Sequence, residues 1–183
     1  ELEDFKEGRI MPGIKAIVFD WGDTLMKDFS EYEGPMADWE HVEIIDGVKK
    51  SLHLISQSYI CCVASNAGAS NSALMGIALK RVDIQQYFQY LFTSRELGFS
   101  KPSLEFFNKI VQTLGFTPQE CIMVGNDYDK DIIPAKKIGM QTILFSQVSK
   151  DENFNYANYV TNSMGNLHEI ILEIEKRNNI YTI

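Results

Sequence analysis

Four clusters of polar side chains, each at the end of an apolar run or the start of a helical one, carry the chemistry this sequence could perform. The first is Asp20, Asp23 and Thr24 around Gly22, directly after Ile17, Val18 and Phe19. Ser65 and Asn66 follow the run from Tyr59 to Ala64, Lys101 stands just before Pro102, and Asn126, Asp127 and Asp131 follow the run from Cys121 to Gly125. An aspartate at the carboxyl end of a parallel strand sits where open α/β sheets hold their ligands, so Asp20 is the first candidate for a nucleophile. Aspartate also commonly ends a strand and opens a turn, which is the plain alternative for Asp20 and Asp23. Carboxylates at two of the strand ends suit a hard divalent cation such as Mg2+, which takes oxygen ligands and retains water. A lysine, a serine hydroxyl and backbone N–H groups suit an anion opposite that cation. Nucleophile, metal and anion cradle together are the parts of phosphoryl transfer.

These clusters need elements to bring them together. The apolar runs at about 14–20, 59–64, 91–94, 121–125 and 141–145 read as short buried strands, and Tyr159-Val160 as an edge strand. Between them, Val48, Leu52 and Ile55 recur at helical spacing after Asp46-Gly47, with a helix expected to run to about Gln57. Leu74, Ile77 and Ala78 mark a second helix. Pro102, at a favoured first helical position, opens a third that Gly115 stops. A short helix is expected from about 131 to Gly139, and Leu167, Ile170, Ile171 and Ile174 form a terminal amphipathic one. Strands alternating with helices predict right-handed βαβ units, hence an α/β fold with a parallel sheet and helices on both faces. In such a sheet the carboxyl ends converge on one edge, so the four clusters meet.

The chain has 183 residues, enough for one domain with one sizeable core, and is expected to form a single domain over 1–183. With 45% hydrophobic and 23% charged residues, and no apolar run near the roughly 20 residues that span a bilayer, no membrane partner is expected. A net charge of −8 argues against non-specific binding of nucleic acid. The acidic start, Glu1 to Glu7, has no apolar stretch behind a basic head and predicts no secretory signal. Cys61, Cys62 and Cys121 lie in apolar runs rather than at ligand spacing and read as buried thiols in a reducing cytoplasm. His41, His53 and His168 carry no assigned role.

Taken in order, Phe19-Asp20-Trp21-Gly22-Asp23-Thr24-Leu25, Ser65-Asn66, Lys101-Pro102, and Val124-Gly125-Asn126-Asp127 with Asp131 and Gly139-Met140 resemble the four motifs of the haloacid dehalogenase superfamily. The resemblance covers about residues 14–175 and implies a Rossmann-like core and Mg2+-dependent hydrolysis of a phosphate ester or anhydride through an aspartyl-phosphate. By that likeness Asp20 attacks phosphorus, Thr24, Ser65, Asn66 and Lys101 serve the phosphoryl group, and the last motif completes the metal site with Asp20 and the Gly22 carbonyl. Phosphorylated small molecules or macromolecular phosphates are the implied substrates.

Two departures stand out. Phosphatases of this kind carry a second aspartate two residues after the nucleophile, as general acid and then base; here that place is Gly22. A positioned proton donor is typically worth about 10²- to 10⁴-fold in rate. Asp23 could substitute, the substrate could have a good leaving group, or the protein could bind without appreciable turnover; all three stay open. The second departure is Asn126, where the motif commonly has aspartate. Either Asn126 replaces the metal carboxylate, or Asp127 is the ligand and Asp131 its outer support; the second register is preferred, because one carboxylate alone holds Mg2+ weakly. About 40 residues separate the first motif from Ser65, which leaves no room for a large cap, only a small flap at about 26–45 with Tyr32, Trp39 and His41. An open site suits a bulky substrate, or one covered by another subunit.

Overall fold

The computed structural model describes residues 13–147 and 153–180, so most of the polar lead-in lies outside the described residues. Six parallel strands form one sheet in the order β3-β2-β1-β4-β5-β6. They are β1 (Ala16–Phe19), β2 (Ile60–Ser65), β3 (Tyr90–Thr93), β4 (Cys121–Gly125), β5 (Gln141–Phe145) and β6 (Tyr159–Thr161). The helices are α1 (Val48–Ile55), α2 (Ser72–Arg81), α3 (Ser94–Leu97), α4 (Leu104–Leu114), α5 (Ile133–Ile138) and α6 (Leu167–Ile180).

β1 is buried along its whole length because it lies between β2 and β4 with a helical layer on each face, which is why it reads as an unbroken apolar run. Its side chains alternate between the layers. Ile17 and Phe19 join one core with Val48, Leu52 and Ile55 of α1, Met75 and Leu79 of α2, and Leu167 and Ile171 of α6. Ala16 and Val18 join the other, beneath Phe106, Phe107, Ile110 and Leu114 of α4 and Ala135 of α5. The expected α/β sheet with helices on both faces is therefore present. All three cysteines are free and buried, two in β2 and one in β4.

Three local details depart from the sequence reading. Helix α4 begins at Leu104 rather than at Pro102, because the Ser103 side chain caps it by accepting the Phe106 N–H. The helix expected from 131 starts earlier, with a π-helical turn over Tyr128–Ile132 that runs into α5. The four-residue α3 lies where the sequence pattern predicts no helix; Thr93 caps it by accepting the Glu96 N–H.

Gly47 immediately precedes helix α1 as its N-cap, and its φ of +81° places it in the left-handed region. A Cβ there would strike the backbone N and Cα of Gly165, in the turn that leads into α6. Ser51 Oγ fastens the same contact by donating to the Met164 carbonyl at 2.6 Å. Strain at φ and the backbone clash both oppose a side chain, so Gly47→Ala is expected to lower unfolding free energy by about 2 to 4 kcal/mol in urea titration.

Candidate active site

The strand order turns at β1 and β4: successive strands run outward from β1 in one direction and from β4 in the other. Asp20 leaves the end of β1 at this point, its N–H donating to the Val124 carbonyl of β4 at 2.8 Å. Lys101 arrives in the connection between α3 and α4. Its backbone is clamped by Asn66, whose Oδ1 accepts the Lys101 N–H at 2.8 Å and whose Nδ2 donates to the Lys101 carbonyl at 3.1 Å. The Asn66 carbonyl in turn accepts from Ser94 Oγ at 2.7 Å. So fixed, the ammonium reaches Asp20 Oδ1 at 2.6 Å and Asp131 Oδ1 at 2.7 Å, with the lysine side chain 4% exposed and that of Asp131 1%.

Burial by itself would pull the Lys101 ammonium down, but two carboxylates outweigh it and the pKa stands above the ordinary lysine value. Burial pushes the Asp131 carboxyl up to about 6; the lysine opposes this and the Asp20 charge adds to it. The two directions are consistent: the lysine faces two carboxylates, whereas Asp131 shares one ammonium with a like charge.

Thr24 is fully buried and donates toward Asp20 Oδ2 at 3.1 Å, so it holds the nucleophile candidate rather than facing the cleft. Asn126 faces the same oxygen. With its amide nitrogen inward it donates to Thr24 Oγ1 and Asp20 Oδ2, both at 3.1 Å, and to the Gly22 carbonyl at 3.3 Å. With the oxygen inward, Asn126 Oδ1 stands 3.1 Å from Asp20 Oδ2 and 3.3 Å from the Gly22 carbonyl, and the three make an all-oxygen set. That set fits a hard cation that keeps several waters, and Mg2+ does. Among the described residues no group of three or more His, Cys, Asp or Glu side chains surrounds a common point, so this is not a carboxylate cage. Asp127, preferred over Asn126 in the sequence reading, points elsewhere: its Oδ1 accepts the N–H groups of Asp129 at 3.1 Å and Lys130 at 2.9 Å, and its Oδ2 pairs with Lys130 Nζ at 3.3 Å. It caps the π-helical turn. Asp131 Oδ2 accepts the Asp127 N–H at 3.1 Å, and its side chain lies so close over Gly125 that a Cβ on Gly125 would collide with it.

A cleft of about 480 Å³ opens over these groups. Ser65, 8% exposed, lines it; its Oγ accepts the Ala67 N–H at 3.1 Å, leaving the O–H to donate. Asp23 sits in the left-handed region, φ +56°, and its Oδ1 accepts the backbone N–H of Asp28 at 3.0 Å. Asp28 lines the cleft too, and partial burial, then the charges of Asp23 and Asp20, hold its carboxyl above the usual range. The segment at 26–45 borders the cleft with Met36 and Trp39. Trp39 is buried and stacked on Tyr32 at 5.4 Å, and Arg81 of α2 donates to the carbonyls of Ala37 at 3.1 Å, Trp39 at 2.6 Å and Glu40 at 3.2 Å. His41 instead lies 3.6 Å from the Glu43 carboxylate and does not line the cleft. Sequence reasoning missed Asp28 and Arg81, which belong to no motif.

A family model described as haloacid dehalogenase-like hydrolase matches residues 13–145. The chain belongs to that family. Beyond the family match, this haloacid dehalogenase-like protein is 38% identical over 100 residues to glyceraldehyde 3-phosphate phosphatase of Methanocaldococcus jannaschii, covering 54% of this chain and 44% of the relative. It thus spans less than half of that relative's length. Among solved structures, an uncharacterized protein of Listeria monocytogenes superposes with a TM-score of 0.78 at 21% identity, covering 89% of this chain and 99% of that one. The magnesium-bound form of a haloacid dehalogenase-type hydrolase from Bacillus subtilis does so with a TM-score of 0.68 at 14% identity, covering 87% and 99%. At these identities the two structures share the fold.

Two tests follow from the buried charges. Folded Asp131 keeps its proton to about pH 6, whereas the unfolded carboxyl, at the ordinary 3.8, releases it earlier; the group therefore binds more protons folded than unfolded in this window. Its contribution to stability falls as pH rises from about 4 to 6 and levels off above. Urea unfolding from pH 4 to 7 should show the wild type losing stability relative to Asp131→Asn across that window. Gly125→Ala should push Asp131 off Lys101 and lower whatever turnover the site supports by about tenfold or more, read in the same phosphate-release assay used for wild type.

Proposed function

We propose that this protein is a cytoplasmic Mg2+-dependent phosphohydrolase that cleaves a phosphate ester or anhydride through an aspartyl-phosphate on Asp20. The observation that carries the reading is the division of labour at the two Asp20 oxygens: Oδ1 meets the buried Lys101 ammonium, and Oδ2 faces Thr24 and Asn126, whose amide also lies against the Gly22 carbonyl. A carboxylate so held keeps a fixed direction of attack and has a cation site on one side and a fixed ammonium on the other.

In this reading Asp20 Oδ1 attacks phosphorus. Lys101 receives the phosphoryl oxygens from one side and the Ser65 O–H donates to them from another. Asp131 acts through Lys101, whose position and charge it maintains, and Asn66 through the Lys101 backbone. Asp20 Oδ2, the Gly22 carbonyl and Asn126 Oδ1 would hold Mg2+, which supplies positive charge against the transferring phosphoryl group. Asp127 sets the turn that aims Asn126 and Asp131. Three free, buried thiols fit a reducing compartment. Small phosphorylated sugars, of the kind named for the Methanocaldococcus jannaschii relative, are the first substrates to try.

The test is release of inorganic phosphate from a panel of phosphomonoesters and acyl phosphates, with Mg2+ and with the metal chelated. Turnover with metal, its loss on chelation, and a fall on the order of 10⁴-fold or more in Asp20→Asn are expected. No release from either class, or equal activity in Asp20→Asn, overturns the reading.

A further inference from the structure

Gly22 leaves the site without a side chain where the family resemblance puts a proton donor, and the fold fills that place from elsewhere. A Cβ added to Gly22 would have Asp28 as each of its three nearest neighbours, with Oδ2 at 3.3 Å, Cβ at 3.4 Å and Cγ at 3.6 Å. We propose that Asp28 is the proton donor and acceptor of this site, its carboxylate delivered by the flap into the space that a side chain at residue 22 would occupy. The proposal rests on the phosphohydrolase reading.

The local backbone builds this placement. Asp23, at positive φ, donates its N–H to the Met26 carbonyl at 2.6 Å, and the N–H groups of Leu25 and Met26 return to the Trp21 carbonyl at 2.8 and 3.2 Å. The chain thereby doubles back, and residue 28 comes to stand over residue 22. Two further bonds lock it: Asp23 Oδ1 accepts the Asp28 N–H at 3.0 Å, and the neighbouring Lys27 N–H donates to the Glu43 carbonyl at 2.9 Å. Five aspartates line the cleft, Asp20, Asp23, Asp28, Asp127 and Asp131. Asp20 and Asp131 are taken by Lys101, Asp127 by the turn it caps, and Asp23 by the Asp28 backbone. Among the described residues no donor hydrogen-bonds to the Asp28 carboxylate. It is exposed toward the open cleft, where a leaving group would depart.

The chemistry balances around this residue. As Asp20 Oδ1 bonds to phosphorus, the bond from phosphorus to the leaving oxygen breaks; that oxygen keeps the electron pair and takes the proton of the Asp28 carboxyl. A water oxygen then bonds to phosphorus while the Asp20–phosphorus bond breaks. Asp28 takes the water's proton, Asp20 regains its negative charge, and alcohol and inorganic phosphate are the products. Asp23 is a positioning residue in this scheme and exchanges no proton.

The discriminating experiment compares glycerol phosphate, whose alkoxide is a poor leaving group, with 4-nitrophenyl phosphate, whose phenolate leaves without help. Asp28→Asn and Asp28→Ala should each lower kcat/KM for glycerol phosphate by about 10²- to 10⁴-fold, while single-turnover release of 4-nitrophenolate falls by about tenfold or less. Adding Gly22→Asp to the Asp28→Ala background should restore glycerol phosphate turnover by about tenfold or more, a rescue that a merely structural role for Asp28 would not give. Circular dichroism melting of the single variants should match wild type. Undiminished glycerol phosphate turnover in Asp28→Ala, or an equal loss on both esters, overturns the proposal and leaves the phosphohydrolase reading intact. No turnover of either ester by wild type overturns the proposal, and the phosphohydrolase reading falls with it only if acyl phosphates release no phosphate either.

Discussion

The site depends on one buried ammonium. Lys101 lies between Asp20 and Asp131, three charges that burial would make costly singly and that are tolerable together because each is hydrogen-bonded to a partner. Removing any one strands the others in a poorly solvated place. The three residues come from the end of β1, the connection before α4 and the turn after β4, so one interaction draws three parts of the chain to the same edge. The triad carries one net negative charge, and Asp23 beside it adds to that. Such a cleft repels a phosphate ester standing alone and admits one readily in company with a divalent cation. That is the electrostatic reason to read Asn126, the Gly22 carbonyl and Asp20 Oδ2 as a cation site although they contribute a single carboxylate.

The flap joins access to chemistry. Its inner side is apolar, with Met36 and Trp39 packed into the core that contains α1 and α2. Arg81 secures it by reaching its backbone carbonyls, a mode of attachment that does not depend on which side chains the flap presents. The segment is thus a fixed wall of the cleft, and Asp28 is part of that wall. A wall this small leaves the cleft open above, which suits substrates that extend beyond their phosphate.

Much of this architecture was legible in the amino-acid sequence. The strands announced themselves as short apolar runs because parallel strands are buried on both faces, and their polar ends marked the edge that carries the candidate site. What could not be read was which way a side chain turns once neighbouring backbone groups compete for it. Asn126 and Asp127 are adjacent and both can ligate a cation; the N–H groups of Asp129 and Lys130 claim Asp127 and leave Asn126 facing Asp20. Likewise Ser103, not Pro102, begins α4, since a hydroxyl that accepts an orphan N–H outcompetes a preference for fixed φ. Asn66 was expected at the phosphoryl group; both ends of its amide are instead engaged by the Lys101 backbone. Asp28 gave no periodic or motif signal, because its nearness to Gly22 comes from a reverse turn at Asp23 that sequence spacing does not reveal.

The cysteines have a practical consequence. Cys61, Cys62 and Cys121 are fully covered, in strands at the centre of the sheet, and burial pushes the thiols of Cys61 and Cys121 up to about 12 and that of Cys62 well above the ordinary thiol value. Only the thiolate reacts readily with disulfides and alkylating agents. Native protein should therefore be inert to such reagents while the sheet stays closed, and each thiol becomes reactive only when the strand carrying it separates from its neighbours. The chain carries its own chemical clock for the opening of β2 and β4, readable by mass without any added label in the folded state.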